Sequence, residues 1–155
     1  MRKLRVSLIA LTCFSSNGIA QDIDVSLGGG WPFFLVPTVS TKYDDLELYV
    51  NYKLGLDDGF TLGAQKQYEN HVVGIFLGAV GARDAEYSCE DELTCPIIRL
   101  ALTDAQTTQG IGMSYEYRLN TSREGWAFRV EAGYGKESQN DTNRFDGNAQ
   151  VVYHF

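Results

Sequence analysis

Histidine, cysteine, proline and helical periodicity are all scarce in this chain, and each scarcity narrows what it can be. Of 155 residues, two are histidines, three are cysteines and three are prolines. Two close cysteines with no histidine beside them are a weak basis for zinc. Neither EF-hand nor phosphate-loop spacing occurs, so neither a metal nor a cofactor is expected. Basic residues are also in deficit, 13 against 20 acidic, for a formal net charge of -7. Nucleic-acid binding needs clustered Lys and Arg to replace counterions, so no electrostatic case for it exists. No stretch after residue 20 sustains a helical period. With 12% aromatic residues, 21% charged residues and 16 glycines, the chain is not disordered by composition. Its length predicts one domain.

The first 20 residues differ from the rest. Arg2, Lys3 and Arg5 form a positive start, and Val6–Phe14 form a short apolar stretch. Gly18-Ile19-Ala20 supplies the small-x-small pattern of a cleavage site, which predicts a signal peptide over 1–20 and a mature chain from Gln21. The apolar stretch falls well short of the about 20 residues that span a bilayer as a helix. Cys13 raises the alternative of lipidation, but Thr12 and Ala10 fit poorly the small residue and the leucine usually found one and three places before a lipidated cysteine. The mature chain keeps 10 basic and 20 acidic residues, a net charge of -10.

Cys89 and Cys95 lie in the polar stretch AEYSCEDELTCP. In an exported protein so close a pair reads as a disulfide. Closing so small a loop contributes only about 2 kcal/mol, so the bond shapes a loop rather than holding a fold together.

What the mature chain has in quantity is strict alternation, the mark of β-strands. Leu46, Leu48, Val50, Tyr52 and Leu54 alternate with Glu47, Tyr49, Asn51 and Lys53. Phe60, Leu62 and Ala64 follow, then Val73, Ile75, Leu77 and Ala79. Ile111, Met113, Tyr115, Tyr117 and Leu119 alternate with Gly112, Ser114, Glu116 and Arg118; Trp126, Phe128, Val130, Ala132 and Tyr134 alternate with Ala127, Arg129, Glu131 and Gly133. The last run sets Phe145, Ala149, Val151, Tyr153 and Phe155 against Asp146, Asn148, Gln150 and His154.

Which face points inward decides the class. A soluble barrel turns its apolar set inward, whereas an outer-membrane barrel turns it to lipid and keeps a polar interior. Aromatic residues sit at strand ends, as interface girdles require: Tyr68, Tyr117, Trp126, Tyr153 and Phe155 at one rim, and Tyr52, Phe60, Tyr134 and Phe145 toward the other. The other face carries Gly, Ser, Asn, Gln and paired charges. A turn over 120–125 sets Glu116 opposite Arg129, with Arg118 and Glu131 close enough to extend a charge network inside a narrow interior. Unpaired buried charges are costly, so such a network needs its pairing; a solvated cross-strand salt bridge is the plainer alternative.

The chain ends Val151-Val152-Tyr153-His154-Phe155, a terminal Phe with aliphatic or aromatic residues at alternate places before it. This resembles the C-terminal strand of bacterial outer-membrane proteins. In pattern the whole mature chain resembles the small eight-stranded barrels of the OmpA-domain and OmpX type. The resemblance implies an all-β, antiparallel up-and-down transmembrane barrel in the outer membrane, with Tyr153 and Phe155 as the signal read by the barrel-assembly machinery. It also implies outer-membrane lipid and lipopolysaccharide as surroundings.

Eight strands are expected, over Asp22–Gly29, Phe33–Thr41, Leu46–Leu54, Phe60–Tyr68, Val72–Ala82, Thr107–Leu119, Gly125–Lys136 and Arg144–Phe155. An even count puts both termini on the periplasmic side, makes Lys42–Asp45, Glu69–His71 and Asn120–Glu124 short inner turns, and leaves Arg83–Gln106 as a long outer loop. Pro37 predicts a bulge or a shortened strand, because a closed barrel has no spare edge to accept it. Gly28-Gly29-Gly30-Trp31-Pro32 reads as a turn. Lys66, on the outward face, is placed to snorkel toward the rim beside Tyr68.

Eight strands leave an interior just wide enough for side chains, which argues against a wide pore. Neither His71, expected in a turn, nor His154, expected inside, has a serine and carboxylate at suggestive spacing, so no catalytic residue is assigned. The acidic residues Asp57, Asp58, Asp84, Glu86 and Glu90–Glu92 read first as solvated loop charge, with divalent-cation binding as the alternative. The leading expectation is a non-enzymatic outer-membrane protein, structural or interacting through its outer loops with an unidentified partner. A lipid-modifying membrane enzyme and a soluble periplasmic barrel with a small apolar ligand are the alternatives.

Overall fold

A computed structural model describes residues 23–84, 105–120, 124–138 and 142–155. The residues 1–20 read as a signal peptide, and the Cys89–Cys95 pair, lie outside the described residues. Eight antiparallel strands form one closed barrel in up-and-down order: β1 (Ile23–Trp31), β2 (Phe33–Tyr43), β3 (Leu46–Gly55), β4 (Gly59–Tyr68), β5 (His71–Asp84), β6 (Ala105–Arg118), β7 (Gly125–Glu137) and β8 (Asn143–His154). Closure is made by β1 on β8, from Ser26↔His154 to Trp31↔Ala149. Each strand read from alternation is present, because a period of two is the one pattern that a two-sided sheet imposes.

Four local expectations change. Gly28–Trp31 is not a turn but the end of β1, paired with Val152–Ala149 of β8. A Cβ on Gly30 would stand 1.9 Å from the Ala149 carbonyl, so glycine lets the two backbones close here. Pro37 neither bulges nor shortens β2. It faces Leu27 of β1, while toward β3 the pairs pass from Leu35↔Leu54 to Thr38↔Asn51, and the irregularity falls at Phe33/Leu35. His71 is not in a turn but opens β5, paired with Tyr68 and Tyr117. β5 and β6 also extend further than the apolar pattern indicates, to Arg83↔Gln106 and Asp84↔Ala105.

One end of the barrel carries the start of β1, the end of β8 and the short turns Asp44-Asp45 and Glu69-Asn70; we call it the terminal end. Asp44 and Glu69 have φ of 58° and 53°, the left-handed geometry that two-residue hairpin turns need. The opposite, loop end carries Pro32, the 56–58 connection, the ends of β5 and β7 and the starts of β6 and β8.

The polarity is inverted relative to a water-soluble fold. Among the described residues, buried polar and charged side chains outnumber buried apolar ones two to one. Ile75, Leu77, Ile111, Met113, Leu62 and Val130 are at least half exposed on the outside. Aromatic rings flank this aliphatic band. At the terminal end the Trp126, Tyr153 and Phe155 rings stack edge to face in series, 5.0 and 5.1 Å apart, and His71 lies 5.3 Å from Tyr117. At the loop end Trp31 meets Phe34, Tyr52 pairs with Phe60, and Tyr134 pairs with Phe145. Lys66, on the outer face, bonds Asp45 at 3.2 Å and lies over the Tyr68 ring.

Candidate functional site: the polar interior

Alternation alone delivers the interior: on every strand the residues between the outward apolar ones point to the axis. Near the terminal end, Glu116 of β6 is the hub. Arg129, directly opposite on β7, donates to its Oε2 at 2.6 Å through Nη2 and 2.8 Å through Nε. Arg118 Nε reaches its Oε1 at 2.8 Å, and His154 Nε2 lies 3.1 Å from the same oxygen. The arginines are engaged further: Arg118 donates to Gln67 Oε1 at 3.0 Å and sits 3.5 Å from Glu47, and Arg129 donates to Gln65 Oε1 at 3.3 Å. The Tyr49 ring lies 5.3 Å from the Arg129 guanidinium carbon.

Of the four charged residues read from sequence, Glu116, Arg118 and Arg129 therefore meet in one cluster. Glu131 takes a partner that sequence did not offer. Its Oε2 pairs with Lys53 of β3, 78 residues away in sequence and across the barrel, and accepts from Asn148 Nδ2 at 2.8 Å. Lys53 is fully buried, with its ammonium 5.0 Å from the Phe76 ring and 5.4 Å from Phe33. Its inward parity was legible beside Glu47 and Asn51; the identity of the residue facing it across the barrel was not.

Toward the loop end the wall itself enters the interior. The β5–β6 register slips between Ala79↔Gln109 and Gly81↔Thr108, which leaves Val80 as an extra residue. The bulge turns two carbonyls inward: Ala79 O accepts from Lys53 Nζ at 2.6 Å and Thr61 Oγ1 at 3.2 Å, and Val80 O accepts from Asn148 Nδ2 at 2.6 Å. Beyond it β5 reaches β8. A Cβ on Gly81 would stand 2.6 Å from the Gly147 carbonyl and 2.7 Å from the Asp146 carboxylate. Asp146 is tied in turn to Arg83 at 3.0 Å, Arg144 at 3.3 Å and Thr108 Oγ1 at 2.8 Å. Arg144 also pairs with Glu137. Asp57, read as a free loop charge, accepts from Thr107 N at 2.8 Å and Ser138 Oγ at 3.4 Å.

Comparison with protein-family models, curated proteins and solved structures returned no match.

Chemically, the interior is an array of neutralised charges. Among the described residues, no group of three or more His, Cys, Asp or Glu stands ready to hold a metal. His154 is committed to Glu116, and His71 points outward with Nδ1 2.7 Å from the Tyr115 hydroxyl. Tyr153 and Phe155 lie on the outer terminal rim, with Tyr153 paired to Trp126 and Leu27.

Proposed function

We propose that this chain is an integral outer-membrane β-barrel protein of a Gram-negative envelope, without enzymatic activity, acting structurally or through its outer loops. The observation that carries the reading is the inverted polarity: an aliphatic band bounded by aromatic rims outside, and paired charges inside. In water such a wall would expose far more contiguous apolar surface than a soluble monomer tolerates. In a bilayer it is the required arrangement. A soluble carrier of an apolar ligand needs the opposite, since its cavity would have to be lined by the residues that here face out.

In this reading residues 1–20 direct export, the terminal end is periplasmic and the loop end is outside the cell. Tyr153 and Phe155 present the assembly signal, and lipopolysaccharide surrounds the outer rim. The Cys89–Cys95 disulfide would shape the longest outer loop, where a protein partner of unknown identity would bind.

The test is fractionation of cells expressing the full chain or a variant lacking Phe155. Recovery in the outer membrane, heat-modifiable migration on gels and loss of both on removing Phe155 are expected. Release of folded protein by osmotic shock without detergent overturns the reading. A change in lipid A acylation on overexpression would overturn its non-enzymatic part.

A further inference from the structure

Between the Lys53–Glu131 pair and the Glu116–Arg129 cluster lies a layer of buried side chains that is incompletely hydrogen-bonded. Asn51 points inward, two residues from Lys53 on β3, and is 1% exposed; neither its Oδ1 nor its Nδ2 has a partner. Gln65 gives its Oε1 to Arg129, while its Nε2 is unpartnered. Glu131 commits Oε2 to Lys53 and Asn148 and leaves Oε1 unused. Gln150 donates through Nε2 to Asn148 Oδ1 at 2.6 Å and leaves its own Oε1 unused. Bonds and strand pairing link these residues in series: Lys53 to Glu131, Glu131 to Asn148, Asn148 to Gln150, Gln150 across to Arg129 and Arg129 to Gln65, with Asn51 next to Lys53 on the same face of β3.

Buried polar atoms in folded proteins are almost always satisfied, by protein or by ordered water. The open set here is mixed, three oxygens that accept and two amide nitrogens that donate. An ion of either sign would meet the wrong groups in part of the layer, and the charges above and below it are already paired. A ligand that both donates and accepts suits it. We propose that this layer is a binding site for water, on the order of two molecules at about three hydrogen bonds each. Bound there, water joins the Lys53–Glu131 pair to the Glu116–Arg129 cluster, so that the two behave as one network. The proposal is independent of what surrounds the barrel.

The test uses the mature chain folded in detergent micelles, with relaxation dispersion of water deuterons to count molecules held longer than the tumbling time. Wild type is compared with Asn51→Leu and Asn51→Ser. Loss of one or two long-held waters in Asn51→Leu, with a lowered urea midpoint and no loss in Asn51→Ser, is expected. An unchanged count with a raised midpoint in Asn51→Leu overturns the proposal, because removing a dry, unpaired amide relieves a penalty. Complete absence of long-held water in wild type overturns it without any variant.

Discussion

Toward the terminal end, the interior is occupied by long charged side chains; toward the loop end, the bulged wall of the barrel enters it beside a second set of charges on Lys53, Asp146 and Arg144. Both halves must satisfy polar groups removed from water, and they do so with different materials. In the terminal half, Glu116 pairs with both Arg129 and Arg118 and holds His154, and Glu47 brings a second negative charge to Arg118. In the loop half, the bulge at Val80 supplies carbonyl acceptors, and Gly81 brings β5 against Gly147 of β8. The first solution is sensitive above all to charge and the second to volume as well, so a substitution that overfills the bulge should spare the terminal cluster.

The sharpest break is Glu116→Ala. It strips two buried arginines of their shared counter-charge, and removing one member of a buried pair costs about 3–5 kcal/mol. Urea unfolding in detergent should show a loss of that size; a loss within about 1 kcal/mol would mean that the arginines find water, as exposed pairs do.

Gly81→Val tests the other half. Its side chain would meet the Gly147 carbonyl and the Asp146 carboxylate, and overpacking of this kind costs about 1–3 kcal/mol. Amide exchange should speed up at Asn148 and its neighbours while the Glu116 surroundings stay protected. Uniform loosening of both halves would show that they are not separable.

The smallest effect is expected outside. Lys66→Ala removes an exposed bond to Asp45, and such pairs contribute about 0–1 kcal/mol. A larger loss in the same urea series would mean that the outer face of the terminal rim carries more of the stability than its solvent exposure implies.

The fold was largely legible in the sequence because both faces of each strand are chemically distinct, so period two shows through wherever side chains alternate. It became illegible where alternation lapses. Gly28-Gly29-Gly30 presents no side chains to alternate and reads as a turn, although the backbone there pairs with Val152, Val151 and Gln150. The bulge at Val80 is hidden for the opposite reason: Ala79, Val80 and Ala82 are all buried, so the parity that identifies a strand breaks inside one. In the interior, neighbouring-strand partners such as Glu116 and Arg129 follow from one short turn. Partners across the axis, such as Lys53 and Glu131, depend on the closure of all eight strands, which no local pattern encodes.

The two tryptophans of the chain stand at opposite rims, Trp31 against Phe34 and Trp126 against Tyr153, each more than half exposed on the outer wall. Replacing either with phenylalanine leaves a single tryptophan which, excited to the red of the nine tyrosines, reports on one end only. The molecule thus carries its own pair of depth markers. During refolding into lipid vesicles, the order in which the two emissions move to shorter wavelength would tell which rim enters first.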